Sequence, residues 1–139
     1  MAILVAYDGS EPAQEAVEHA FTTYPDEEIV LLRVIEAADG STEAGLKIVQ
    51  EMLREQEEEV SEEFPEEIAE IVSDPDREFR TETAVGKPAR EVVSFAADHD
   101  EIEHIVIGSH GRSGLSRVLL GSVAETIVRR APVPVTVIR

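Results

Sequence analysis

The 139-residue chain contains no cysteine, and that one absence excludes disulfides, thiolate metal sites and a cysteine nucleophile together. Four scattered histidines do not replace them, so the sequence identifies no metal site. No apolar run approaches the roughly 20 residues that span a bilayer. The opening Ala2-Ile3-Leu4-Val5-Ala6-Tyr7 reads directly as a strand, with no basic region or cleavage site before it. These features predict a soluble, cytoplasmic protein with no membrane partner. Lysine is scarce: Lys47 and Lys87 are the only ones among 12 basic residues, set against 30 acids. The formal charge of −18 repels polyanions, which argues against a nucleic-acid partner.

This acidic, lysine-poor bias looks like that of proteins from halophilic organisms. At molar salt the Debye length falls to about 3 Å, so a dense acidic surface costs little and stays hydrated. An ordinary acidic protein at modest salt shares the composition. The charge is not evenly spread, however. Residues 108–139 hold Arg112, Arg117, Arg129, Arg130 and Arg139 against one acid, Glu125, a local balance of +4 that leaves residues 1–107 at −22. An acidic chain has kept one basic segment, and an anion site there is electrostatically reasonable.

What is present suffices for one domain with a real core: 42% of residues are apolar, and no internal repeat or linker breaks the chain. Five strand signals alternate with four helical ones, the pattern of a single-domain α/β fold built on a mostly parallel sheet with helices on both faces. The strands are expected at Ala2–Tyr7, Ile29–Ile35, Phe79–Val85, Ile105–Gly108 and Val133–Ile138. The first, second and fourth are nearly unbroken Val, Ile and Leu and belong in the middle. The third alternates apolar or Thr positions with charges and fits an exposed edge. Val133–Ile138 is apolar on both faces, so it is either a second edge hidden by pairing with another copy or a central strand of the monomer.

Ser10 and Pro12 open a first helix whose inward stripe is Ala13, Ala16, Val17, Ala20 and Phe21. A second runs from about Thr42 to Phe64, where Pro65 should end or kink it, with a further turn or two over Glu66–Val72. Val49, Met52, Leu53, Val60 and Phe64 share one face of it, and the run of Glu reads as a solvated face. A third follows Pro88 with Ala89, Val92, Val93, Ala96 and Ala97 inward. A fourth turns Leu120, Val123, Ala124, Ile127 and Val128 inward.

Two familiar phosphate signatures are missing. G-x-x-x-x-G-K-[ST] fails because Gly86-Lys87 is followed by Pro88 and no glycine stands five residues before Gly86, and G-x-G-x-x-G does not occur. Neither a P-loop NTPase nor a dinucleotide oxidoreductase is supported. The fourth strand instead runs into Gly108-Ser109-His110-Gly111-Arg112-Ser113-Gly114, and Gly121-Ser122 then opens the last helix. Glycines let backbone N–H groups approach phosphate oxygens without a Cβ in the way, and a helix start offers free donors at its positive end. Ser122 adds a hydroxyl, or serves as a helix cap, or both. Arg112 and Arg117 are candidate phosphate contacts or plain surface charges, and His110 is a candidate contact or a loop-packing residue.

The pattern Gly108-x2-Gly111-x9-Gly121-Ser122 resembles the ATP-binding motif of the universal stress protein family. The resemblance extends over residues 1–139 through Ile3–Ser10, Leu31–Ile35, the Val85-Gly86-Lys87-Pro88-Ala89 turn and Pro132–Ile138. It implies an open five-stranded parallel sheet in the order 3-2-1-4-5, a homodimer formed through Val133–Ile138, and ATP as the bound nucleotide with Mg2+ alongside. Residue by residue it implies phosphate binding by Gly108, Gly111, Gly121, Ser122 and the Val123 backbone, a ribose contact from Asp8, and an adenine contact from the Val34 backbone. Asp8 read by itself fits a turn residue satisfied by nearby backbone donors as the alternative to the favoured ribose contact, and Val34 a core residue.

Three functions stay in view: an ATP-binding regulatory protein of a stress response, acting through its dimer or a partner; a slow ATPase or phosphotransferase; and a dimeric interaction module that binds no nucleotide. Against catalysis, the glycine segment lacks an evident general base or a pair of metal-binding carboxylates. The H-x-G-H and S-G-G-x-D-S signatures of nucleotide-transfer enzymes are also absent. Against the third reading, the glycine motif is intact.

Overall fold

The computed structural model describes residues 1–36, 43–72, 74–109 and 120–139. Its elements alternate along the chain: β1 (Ala2–Ala6), α1 (Glu11–Thr23), β2 (Glu28–Ile35), α2 (Glu43–Ile71), β3 (Arg80–Val85), α3 (Pro88–Asp98), β4 (Ile102–Gly108), α4 (Ser122–Arg130) and β5 (Val135–Ile138). Five parallel strands stand in the order β3-β2-β1-β4-β5. The apolar strands β1, β2 and β4 are central, as their unbroken Val, Ile and Leu require when both faces are covered.

Side chains alternate across the sheet and divide the core into two layers. Ile3, Val5, Ile29 and Leu31 point to one face, where they meet Ala13, Ala16 and Val17 of α1 and Phe64 and Ile68 of α2. Ala2, Leu4, Val30 and Leu32 point to the other, against Val92 and Ala96 of α3 and Ala124 and Ile127 of α4. The small residues of α1 let that helix lie close on β1 and β4.

Helix boundaries follow local chemistry. Ser10 caps α1 by accepting the Ala13 N–H on its hydroxyl at 3.3 Å, and Pro12 occupies the first turn, where no N–H is needed. Helix α2 continues through Pro65 rather than ending there. Proline in a helix interior costs about 3 kcal/mol. Phe64 and Ile68 flank it and are both fully buried, which offsets that cost and holds the helix together across the break. Four positions expected on an inward stripe do not face inward, and Met52 of α2, 64% exposed, is the first of them. Ala97 is exposed, and Val123 and Val128 are 41% and 45% exposed. On α3 and α4 the stripe that covers the sheet is narrower than the apolar pattern allows: Val92, Ala96, Ala124 and Ile127 are buried in it, with Ala89, Val93 and Leu120 partly buried alongside.

The two sheet edges contrast. On β3, Arg80 pairs with Glu28 at 3.2 Å and with Glu82 and Glu101 at 3.5 Å, charges that discourage edge pairing. On β5, Val135, Thr136, Val137 and Ile138 are all half-buried and uncharged. The last strand is therefore an edge and not a central strand of the monomer.

Candidate functional site

Strand order reverses at β1, which pairs with β2 on one side and β4 on the other, and a cavity of about 570 Å³ opens above the carboxyl ends of these three strands. A crevice at such a switch point is where open α/β sheets bind ligands, and the volume lies within the roughly 300–1,000 Å³ usual for small-molecule sites. The cavity straddles both layers of the fold. Gln56 and Val60 of α2 stand on one side, and Ser122, Val123 and Ala124 of α4 on the other.

Its α4 end is built from backbone. Gly121, at φ −66° and ψ 160°, is the N-cap of α4, and Ser122 is the first helical residue rather than the cap. The Gly121 N–H is already engaged by the Ser109 carbonyl at 2.7 Å, while the Ser109 N–H donates to the Ile138 carbonyl at 2.8 Å. Buried Ser109 thus ties the end of β4 both to β5 and to the start of α4. Helix geometry leaves the N–H groups of Ser122, Val123 and Ala124 without intrahelical acceptors. All three residues line the cavity, and the positive end of the helix dipole faces it with them. An adjoining depression of about 360 Å³ lies between Lys87 and Ser122.

Gly108 has a second reason to be glycine. A Cβ placed there would come within 2.8 Å of the Pro12 carbonyl carbon and ring Cβ, so the close approach of β4 to the first turn of α1 requires its absence. Asp8 lies between β1 and α1, lines the cavity and accepts the Ser10 N–H on Oδ1 at 2.9 Å. Its carboxylate is thereby oriented by the turn it stabilises. Gly9, with φ of 83°, supplies the left-handed residue of that turn.

The Val34 backbone is directed by strand alternation. The Leu32 carbonyl accepts the Tyr7 N–H at 3.0 Å on the β1 side, and the Ile35 carbonyl accepts the Gly86 N–H at 2.9 Å on the β3 side. Successive peptide groups alternate sides, so Val34 turns its N–H and C=O toward the side of β1. Strand β1 ends at Ala6, paired with Leu32. The Val34 peptide groups therefore face the space that β1 has left, which is the cavity.

The α2 end carries side chains that the sequence did not single out. Glu67 accepts the Tyr7 hydroxyl at 3.0 Å and pairs with Arg33 at 3.1 Å. Phe64 stacks on the Tyr7 ring at 5.7 Å, and the Arg33 guanidinium lies 6.0 Å from the same ring. Burial, reinforced by the Glu67 hydrogen bond and charge, pushes the Tyr7 phenol up to about 12. Tyr7 and Arg33 both line the cavity. The one available signal was Arg33, a charge inside an apolar strand, which calls for a partner.

Asp8, Val34, Gly108, Gly121, Ser122 and Val123 thus come together around one cavity. Gly111, with His110, Arg112 and Arg117, lies outside the described residues. Among the described residues no group of three His, Asp or Glu could hold a metal ion.

The universal stress protein family model matches residues 1–139. The chain belongs to the universal stress protein family. Universal stress protein MJ0577 of Methanocaldococcus jannaschii is 34% identical over 99% of this chain and 93% of its own length. Its solved structure superposes with a TM-score of 0.74 at 33% identity, covering 99% of this chain and 94% of that one. The structure of universal stress protein UspA from Lactobacillus plantarum gives a TM-score of 0.85 at 27% identity, covering 100% and 97% of the two chains. A universal stress protein from Archaeoglobus fulgidus, solved in complex with dAMP, shares the fold at a TM-score of 0.64 and 22% identity over 100% of this chain and 98% of that one.

Proposed function

We propose that this universal stress protein, as a single nucleotide-binding domain over residues 1–139, binds ATP as a cytoplasmic regulatory protein of a stress response. The observation that carries this is the cavity, into which the first turn of α4, the Asp8 carboxylate and the Val34 peptide groups all open. The phosphates lie on the N–H groups of Ser122 and Val123 and on the glycine segment of Gly108, Gly111 and Gly121, where the helix terminus favours negative charge. Asp8 bonds the ribose, and Val34 offers one donor and one acceptor to the adenine edge. Mg2+ accompanies the phosphates as part of the nucleotide. The dAMP complex of a structural relative supports an adenine nucleotide in this fold.

Occupancy of the site stabilises the folded state by RT ln(1 + [L]/Kd), about 2.7 kcal/mol at a hundredfold excess over Kd. Melting should therefore shift upward with millimolar ATP and Mg2+ in high salt, the medium that suits an acidic, halophile-like surface. An unchanged melting temperature contradicts nucleotide binding.

The regulatory output runs through a homodimer. The β5 edge carries no charge and is Val or Ile at every position but Thr136, and Val123 and Val128 of α4 are exposed. A symmetric partner pairing at Val133–Ile138 would cover this edge without leaving another open. Light scattering after size exclusion should give twice the 15.3 kDa chain mass, and a monomer at micromolar concentration overturns the proposal.

A further inference from the structure

The wall of the cavity opposite α4 is part of no glycine motif, yet it is built with care. Gln56, Val60, Phe64 and Ile68 recur every four residues and so share one face of α2. Phe64 and Ile68 are buried, and Val60 packs against the same core. Gln56 continues the stripe at the point where α2 reaches the cavity, and there the apolar pattern gives way to a primary amide. The residue is exposed and lines the cavity.

Resting on the adenine-nucleotide reading above, we propose that Gln56 is a base-selecting residue, its amide reading the hydrogen-bonding edge of adenine and disfavouring guanine. Helix α2 stands over the β2 and β3 side of the sheet: the Ser61 hydroxyl is 3.0 Å from that of Thr83 on β3, and Glu67 holds Arg33 of β2. Helix α4 stands at the other end of the cavity, beyond β4. A nucleotide with its phosphates on α4 directs its base toward β2 and α2, where the Val34 peptide groups also open.

Other polar side chains on this wall are engaged. Tyr7 and Arg33 are bound to Glu67, and the Ser10 hydroxyl accepts the Ala13 N–H. Among the described residues Gln56 makes no hydrogen bond. An amide presents a donor and an acceptor side by side, which matches the amino group of adenine and N7 beside it. Guanine offers two acceptors on that edge, leaving the amide oxygen unpaired. Glu36, at the end of β2, lines the cavity as well but offers acceptors only.

The test is isothermal titration of the full chain with Mg-ATP and with Mg-GTP, in wild type, Gln56→Ala and Glu67→Gln. Wild type should prefer ATP, and Gln56→Ala should reduce the ATP-to-GTP affinity ratio roughly tenfold with the ligand-free melting temperature unchanged. Glu67→Gln loosens α2 from Tyr7 and Arg33, so it should weaken both nucleotides by a similar factor and preserve the ratio. An unchanged ratio in Gln56→Ala, or equal weakening of both nucleotides, overturns base selection while leaving nucleotide binding intact. If wild type binds neither nucleotide, both proposals fall.

Discussion

The two ends of the cavity are made of different materials. At the α4 end the exposed groups are peptide N–H donors of Ser122, Val123 and Ala124, positioned by the hydrogen bonds of Ser109 to Gly121 and Ile138. At the α2 end they are side chains: Tyr7 and Arg33, positioned by Glu67 and the Phe64 stack, and the exposed Gln56 beside them. The first end is suited to any anion, because a helix terminus attracts charge without reading shape. The second can discriminate, because a side-chain amide presents a donor and an acceptor together, which only some ligand edges match. The proposed nucleotide reading places affinity and selectivity at opposite ends of one site.

The largest expected effect that sharpens this contrast is at Gly108. If that glycine is required by the packing of α1 on β4, Gly108→Ala should cost about 1–3 kcal/mol, since the added Cβ meets backbone that can yield only by moving the start of α1. Urea denaturation reads the change. A fully stable Gly108→Ala variant would return Gly108 to a role in the phosphate site alone.

A smaller effect belongs to the other end. Tyr7→Phe removes the hydroxyl bonded to Glu67 and keeps the stack on Phe64, which should lower stability by about 1 kcal/mol. The pH dependence has a definite sign. The folded phenol titrates near 12, above its ordinary value of 10.0, so its stabilising contribution is full below pH 10 and is lost as pH rises from there toward 12. Tyr7→Phe should flatten that part of the alkaline decline relative to wild type. Parallel alkaline profiles for the two proteins would remove the Tyr7–Glu67 link.

The same contrast explains what could be read in the sequence. The central placement of β1, β2 and β4 was legible because parallel strands buried on both faces leave continuous apolar runs, whereas the full strand order followed from the family resemblance. The charged edge was legible from its alternating pattern, whereas the apolar Val133–Ile138 fitted an edge or a central strand, and its pairing with β4 alone makes it an edge. The α4 end was legible through glycine spacing, since a backbone site constrains which positions must lack a side chain. The α2 end was hidden. Tyr7 and Glu67 are 60 residues apart, and Arg33 and Glu67 34 apart, and no local pattern joins them. Glu67 sits in a run of acids where every neighbour looks alike, and Pro65 suggested an end or a kink just before it, with only a further turn or two beyond. Which glutamate mattered depended on where α2 crosses the sheet. The inward faces of α3 and α4 were read too wide because alanine and valine tolerate exposure, so their presence in a stripe does not by itself bury them.

The most direct measurement of the central claim is the melting shift produced by Mg-ATP in wild type and in Gly121→Asp. Gly121 has the extended backbone of an N-cap, which aspartate adopts readily and where it favours the helix. The variant should therefore melt without ligand at the wild-type temperature or slightly above it. Its carboxylate would stand where the nucleotide phosphates are placed, so the upward shift seen with ATP in wild type should disappear. An equal ATP-induced shift in both proteins would contradict a phosphate site at the start of α4.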